Sequence, residues 1–284
     1  MDTPVDPSDP RAPFELAHKA AERLAELTGI AQHDVALVLG SGWGGAADLL
    51  GETVAEVPAE QVPGFRAPAV AGHGGSIRSI RLEDGRHALV LGSRTHYYES
   101  RDVRAVAHGV RTAAAAGVRQ LVLTNGCGGL DPALLPGTPV LIADHLNLTA
   151  ASPIEGATFV DLTDLYSSRL RDIAREVDPT LTEGVYVQFP GPHYETPAEV
   201  RMAAMLGGTL VGMSTALEAI AARHVGLEIL GLSLVTNLAA GISPVPLSHQ
   251  EVIEAGQAAG PRISALLASI VRRLDDASTT TSVD

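Results

Sequence analysis

The sequence is poor in several things, and each scarcity closes off a class of protein. One cysteine, Cys127, occurs in 284 residues, so no disulfide can form within the chain, and a reducing, cytoplasmic setting is expected. Positive charge is scarce: 20 Lys and Arg stand against 33 Asp and Glu, giving a net charge of −13. A nucleic-acid partner is therefore not expected. No apolar run approaches a membrane span. The first ten residues, with three Asp and three Pro, lack the apolar core of a signal peptide. Ten His occur, but neither an H-E-x-x-H motif nor a paired His and carboxylate spacing, so no metal and no cofactor are expected. Repeats, linkers and low-complexity tracts are missing too, which leaves one domain over residues 13–275 between frayed tails, 1–12 and 276–284.

Hydrophobic residues make up 45 % of the chain, enough for a sizeable core. Apolar runs predict strands at Val35–Leu39, His87–Leu91, Leu121–Thr124, Val140–Ala143, Val185–Phe189 and Leu227–Thr236. Helical spacing joins Phe14, Ala17, Ala21, Leu24 and Ala25, with Gly29 as the stop. It recurs at Val103, Val106, Ala107, Val110, Ala113 and Ala114, and from Thr215 to His224. A last helix opens at a capping box of Ser248 and Glu251 and runs to about Leu274. Apolar strands alternating with amphipathic helices predict an α/β fold: a central mixed sheet with helices on both faces. Ligands of such sheets bind at the strand ends.

The strand ends are rich in polar signals. Gly40-Ser41-Gly42-Trp43-Gly44-Gly45 matches G-x-G-x-x-G, but the segment after it is short and no acid follows a clean second strand. The glycines offer amides to an anion and Ser41 a hydroxyl; a plain strand-to-helix turn reads as well. Arg94 and His96, two apart in an extended segment, face one side and give cationic donors, with Glu99 able to orient either. His73 sits between glycines, a weaker signal. Thr124-Asn125-Gly126-Cys127-Gly128-Gly129 exposes further amides; Cys127 has no partnered base nearby and reads as a buried small residue. Thr215 and Glu218 make a capping box, placing Ser214 at a helix N-terminus, where an anion or simple capping fits. Asn237 ends a strand and must satisfy both a donor and an acceptor.

One stretch is built more tightly than the rest. Phe189-Pro190-Gly191-Pro192-His193-Tyr194-Glu195 leads into Thr196, Pro197 and Glu199, an N-cap, a first-turn proline and a capping-box acid. Glu195 is thus held on rigid backbone just outside a helix. A well-capped helix start explains the pattern as readily as an aimed carboxylate does.

Gly-Pro-His-Tyr-Glu-Thr-Pro-Ala-Glu resembles the base-recognition loop of the purine nucleoside phosphorylases, in the branch whose members are homotrimers. Further segments match in family order from about Leu39 to Gly256. The resemblance implies a nucleoside phosphorylase-like fold and phosphate as co-substrate. It puts Ser41, His73, Arg94, Thr95, His96, Gly126 and Ser214 on phosphate, and Tyr98, Met213 and His249 on the sugar. Tyr194, Glu195 and Asn237 fall on the base, with Asn237, Glu195 and His96 as the catalytic groups. Gly126-Cys127 stands where relatives often carry alanines. The implied reaction is reversible phosphorolysis of inosine, guanosine and their 2′-deoxy forms, as in purine salvage. Family members complete the sugar pocket with an aromatic from a neighbouring subunit, for which Phe159 and Phe65 are the candidates. Methylthioadenosine phosphorylase shares the chemistry but is associated with Asp where this chain has Asn237. A nonenzymatic nucleotide-binding module built on Gly40 to Gly45 is the alternative of another class.

Overall fold

The computed structural model describes residues 6, 8–66, 75–92, 94–243 and 248–274. Of the two tails expected from the sequence, 276–284 lies outside the described residues, as do 1–5 and 7, while α1 begins at Ala12, within the first. Nine strands form one mixed sheet: β1 (Val35–Val38), β2 (Gly51–Pro58), β3 (Ser76–Leu82), β4 (His87–Leu91), β5 (Gln120–Gly129), β6 (Pro139–Asn147), β7 (Thr182–Gln188), β8 (Leu210–Gly212) and β9 (Glu228–Leu238). The helices are α1 (Ala12–Thr28), α2 (Ala47–Leu50), α3 (Tyr97–Ser100), α4 (Val103–Ala115), α5 (Ser168–Val177), α6 (Pro197–Met205), α7 (Ala216–His224) and α8 (His249–Arg273).

Successive side chains of a strand point to opposite faces, and both faces here are covered. Ala36 and Val38 of β1, Leu89 of β4 and Leu121 of β5 pack with Leu24 of α1, Val110 of α4 and Ala222 of α7. Val35 and Leu37, Val90 and Val122 point the other way, onto Leu170 of α5 and Ile263 and Leu267 of α8. Continuous apolar runs follow from this double burial. The expected stops hold: Gly29 takes a left-handed φ of 74° and donates its N–H to Ala25 O at 2.9 Å. At Ser248, its Oγ accepts from Glu251 N–H.

The strands run in the order β2-β3-β4-β1-β5-β8-β7-β6-β9, and β9 pairs with β5 as well. The last five strands therefore close into a ring. β4, β1, β5 and β9 are mutually parallel, so their carboxyl ends share one edge. Three strands outrun their expected ends, β6 reaching Asn147. β5 continues through Gly126 and Gly129, and β9 through Asn237, because each pairs along its length with the other. The glycines expected in a loop are therefore strand residues, where they let other groups approach. β2, β3 and β8 have no clear apolar run and are not evident in the sequence. β2 is exposed at all but two of its positions.

The glycine-rich turn after β1 is occupied by packing. Gly42 has a φ of +87°, and a β-carbon there would lie 3.1 Å from Gly256 Cα of α8 and 2.9 Å from Leu234 Cδ2. Trp43 is fully buried and donates Nε1–H to Asn125 O at 2.9 Å. The α-helix after this turn, α2, has four residues, too short for the long helix of a dinucleotide fold. The turn locks β1, β5 and α8 together and leaves Ser41 at the rim of a cavity.

Candidate active site

That cavity lies at the shared strand edge. Its wall includes Ser41, Arg94, His96, Tyr98, Gly126, Tyr194, Glu195, Met213, Ser214 and Asn237, all singled out from the sequence. Thr95 is not in this wall; it faces a neighbouring cavity with Arg66 and His108. His73 lies outside the described residues, as does the side chain of His249.

Arg94 is fixed on three sides. Its side chain is buried, with Nε 3.1 Å from Glu218 Oε2 and 3.2 Å from Oε1. Nη1 donates to Thr124 O at 2.7 Å and to Ser214 Oγ at 3.2 Å. Nη2 is buried and has no hydrogen-bond partner among the described residues. A buried guanidinium with both N–H groups of one nitrogen spare is a ready anion ligand.

His96 is oriented differently. It caps α3, its backbone N–H donating to Glu99 Oε1 at 2.7 Å, and its Nδ1 lies 3.1 Å from the same oxygen. The ring stacks on Tyr98 at 4.9 Å. So Glu99 orients His96, while Arg94 takes Glu218. With Nδ1–H given to Glu99, Nε2 donates to an anion only as imidazolium.

Ser214 is presented by a strained turn. Thr215 has φ +79° and ψ −51°, and Ala216 N–H bonds Ser214 O at 3.0 Å, which makes a γ-turn. The turn is held from all sides: Thr215 N–H donates to Glu218 Oε2 at 3.0 Å, and Asn125 Nδ2 lies 2.9 Å from Thr215 Oγ1. Such strain persists only where surrounding bonds over-determine it. Here it swings the Ser214 hydroxyl toward Arg94 at the start of α7.

At the other side of the cavity, Thr196 and Glu199 form the expected reciprocal cap, Thr196 N–H to Glu199 Oε2 at 2.7 Å and Glu199 N–H to Thr196 Oγ1 at 3.3 Å. Glu195 is buried, and its Oε1 has no partner among the described residues. Burial raises the pKa of its carboxyl above the usual range. Gly191 lets the loop close in: a β-carbon there would meet Met213 Sδ at 2.6 Å and Tyr98 Cδ1 at 3.0 Å. Asn237 is held by its neighbours, Oδ1 accepting from Thr236 Oγ–H at 2.9 Å and Nδ2 donating to Leu238 O at 3.1 Å. One N–H of the amide remains.

β5 sets the spacing of the two halves. A β-carbon at Gly126 would stand 3.4 Å from Ser41 Cβ, and one at Gly128 3.5 Å from Asn237 Nδ2. Two residues of regular strand span about 6.6 Å, with a register shift against β9 between Cys127 and Gly128, and Ser41 and Asn237 face one lumen on either side of this stretch. Cys127, between them, is buried, its thiol pushed up to about 12 by desolvation, which removes it as a nucleophile. Among the described residues no group of three or more His, Cys, Asp or Glu is placed to hold a metal ion.

Sequence reading missed Glu218 as a site residue, along with Asn125, Tyr186 and Thr236. Glu218 shows in sequence only as a helix cap; its partner lies 124 residues away. Tyr186 is an apolar-looking strand residue whose hydroxyl accepts from Ser214 N–H at 3.3 Å.

Residues 34–272 match the model of the phosphorylase superfamily. The purine nucleoside phosphorylase of Cellulomonas sp is 73 % identical over 265 residues, covering 92 % of this chain and 94 % of the relative. That of Mycobacterium tuberculosis is 57 % identical over 268 residues, 94 % of this chain and 99 % of the relative. Among solved structures, Schistosoma mansoni purine nucleoside phosphorylase in complex with inosine superposes with a TM-score of 0.82 at 29 % identity, over 92 % of this chain and 97 % of that one.

Proposed function

Because this chain belongs to the phosphorylase superfamily, among its purine nucleoside phosphorylases, we propose a mechanism in which its cavity splits purine nucleosides with phosphate. The reaction is reversible phosphorolysis of a purine ribonucleoside or 2′-deoxyribonucleoside to free base and (deoxy)ribose 1-phosphate. The observation that carries it is the pairing of a buried, partly unsatisfied arginine with a buried, partly unsatisfied carboxylate across one lumen.

Phosphate binds Arg94 Nη2, the Ser214 hydroxyl, His96, Ser41 and the backbone at Gly126, with His73 as a further donor. Tyr98, Met213 and His249 bound the sugar. Asn237, Glu195 and Tyr194 read the base. The C–N bond loosens toward a cationic sugar, and a phosphate oxygen attacks the anomeric carbon from the opposite face. The bond's electron pair moves into the purine, where the spare Asn237 N–H meets N7 and O6 and Glu195 accepts N1–H. Each such preorganised hydrogen bond is worth about 10²–10³ in rate. Phosphate is the nucleophile, and neither a metal nor a cofactor has a step.

The chain works as a homotrimer in this reading, and the two candidate aromatics separate clearly. Phe65 is half-buried, packed against the core with its ring centroid 4.8 Å from that of His108. Phe159 is 98 % exposed, free to close a neighbour's sugar pocket. The single cysteine fits a cytoplasmic enzyme.

The deciding experiment follows base release from inosine with and without phosphate, and with EDTA. Release that needs phosphate and persists in EDTA is expected. Phosphate-independent hydrolysis or loss of turnover in EDTA sinks the mechanism. Phe159→Ala is expected to raise the inosine KM and leave the phosphate KM in place; light scattering checks the trimer.

A further inference from the structure

At its anion side the cavity wall holds two buried polar atoms without a partner among the described residues: Arg94 Nη2, a donor, and Asn125 Oδ1, an acceptor. A cradle for a bare anion needs donors only. A lone acceptor there sets lone pair against lone pair unless the ligand oxygen facing it carries a proton.

The surrounding bonds couple the orientation of the Asn125 amide to the Ser214 hydroxyl. Asn125 Nδ2 lies 2.9 Å from Thr215 Oγ1, which lies 3.1 Å from Ser214 Oγ, which accepts from Arg94 Nη1 at 3.2 Å. Each hydroxyl has one hydrogen to give. If the amide donates to Thr215, Thr215 donates to Ser214, and Ser214 keeps its hydrogen for the cavity. With the amide turned over, Thr215 donates back to Asn125 and Ser214 to Thr215, leaving no hydroxyl hydrogen for an anion. The arrangement that lets Ser214 serve an anion is thus the one that leaves Asn125 Oδ1 unpaired. A chain of donors all pointing one way also polarises itself cooperatively.

We propose that Asn125 determines anion specificity by accepting the P–O–H proton of monohydrogen phosphate. The site takes a protonated tetrahedral oxyanion, phosphate or arsenate, and discriminates against sulfate, which has the same shape but no proton at neutral pH. This inference rests on the phosphate reading of the cavity.

The test uses the full chain at about pH 8, above the second ionisation of a phosphate group, where phosphate and sulfate carry the same charge. Sulfate inhibition is compared with the phosphate KM in wild type, Asn125→Ala and Asn125→Asp. Wild type is expected to favour phosphate over sulfate by about tenfold or more, the scale of one buried hydrogen bond, with arsenate grouped beside phosphate. Asn125→Ala narrows that ratio and Asn125→Asp, an acceptor at both positions, keeps or widens it. A packing role would move both anions together. Sulfate binding wild type as well as phosphate, or a ratio unchanged in Asn125→Ala, overturns the proposal. Should Asn125→Ala not fold, the wild-type split between arsenate and sulfate and the Asn125→Asp ratio decide it. If Arg94→Ala leaves the phosphate KM unchanged, the anion site itself has been misplaced; a shifted KM with an unchanged sulfate ratio fails this inference alone.

Discussion

Arg94 and Glu218, 124 residues apart, form a buried ion pair in which the guanidinium Nε lies within 3.2 Å of both carboxylate oxygens. The same carboxylate takes the Thr215 N–H. One acidic residue therefore positions both the cation and the γ-turn of the proposed anion site. Arg94→Ala would leave Glu218 buried and unpaired, at a cost of about 3–5 kcal/mol in unfolding free energy. It also raises the phosphate KM well above any change in the inosine KM. Adding Glu218→Gln returns part of the stability and none of the phosphate affinity. Denaturant titration and steady-state kinetics on the two proteins check this; a double variant as unstable as Arg94→Ala would show that the buried charge is not what the arginine compensates.

Asn237→Asp is expected to lower kcat/KM for inosine and raise it for adenosine. Against a 6-oxopurine the amide gives an N–H toward N7 and O6. Against adenine the NH₂ would meet another NH₂, and Glu195 would face a bare N1. Each buried mismatch costs about 1–3 kcal/mol, so the inosine-to-adenosine ratio should move by about tenfold or more. Phosphorolysis of both nucleosides at saturating phosphate measures it. An unmoved ratio means that Asn237 does not read the base.

Glu195→Gln should lose activity and gain stability. Burial raises the folded pKa of Glu195 above the value near 4.3 of an exposed glutamate. The folded state therefore binds this proton more tightly than the unfolded chain, and stability drops as pH rises between those two values. At neutral pH the wild type carries that penalty in full and the glutamine variant does not. Base recognition needs the ionised form, so kcat/KM for inosine falls on the acid side before an ordinary glutamate would titrate. A variant both less active and less stable at pH 7 would contradict the account.

A second titration sits far from the cavity. His33 is buried, its Nε2 2.8 Å from Ser79 Oγ, and desolvation, with His87 nearby, lowers its pKa to about 4. The unfolded chain takes up this proton near pH 6.5 and the folded chain does not. Stability present at neutral pH is lost as pH falls from about 6.5 to about 4, by up to about 3 kcal/mol. His33→Gln flattens that part of the profile, which denaturant melts at several pH values would show directly.

The sequence by itself determined the covered sheet, the helix stops and most of the wall of the site. These are local matters: a continuous apolar run such as Val35–Val38, a left-handed glycine such as Gly29, a reciprocal cap such as Thr196 with Glu199. Each is set by backbone sterics and by hydrogen bonds between near neighbours. The Glu195 loop was legible for the same reason, because its rigidity is written in adjacent residues. Only the tertiary structure decided that β5 and β9 pair past their apolar cores, turning a supposed glycine loop into the strand that runs between Ser41 and Asn237. It alone divided the work of orientation, giving Glu99 to His96 and Glu218 to Arg94, and it moved Thr95 into another cavity. It also left Arg94 Nη2, Asn125 Oδ1 and Glu195 Oε1 without partners among the described residues. Whether a buried polar atom is satisfied depends on groups brought together from distant parts of the chain, and no local pattern encodes that sum.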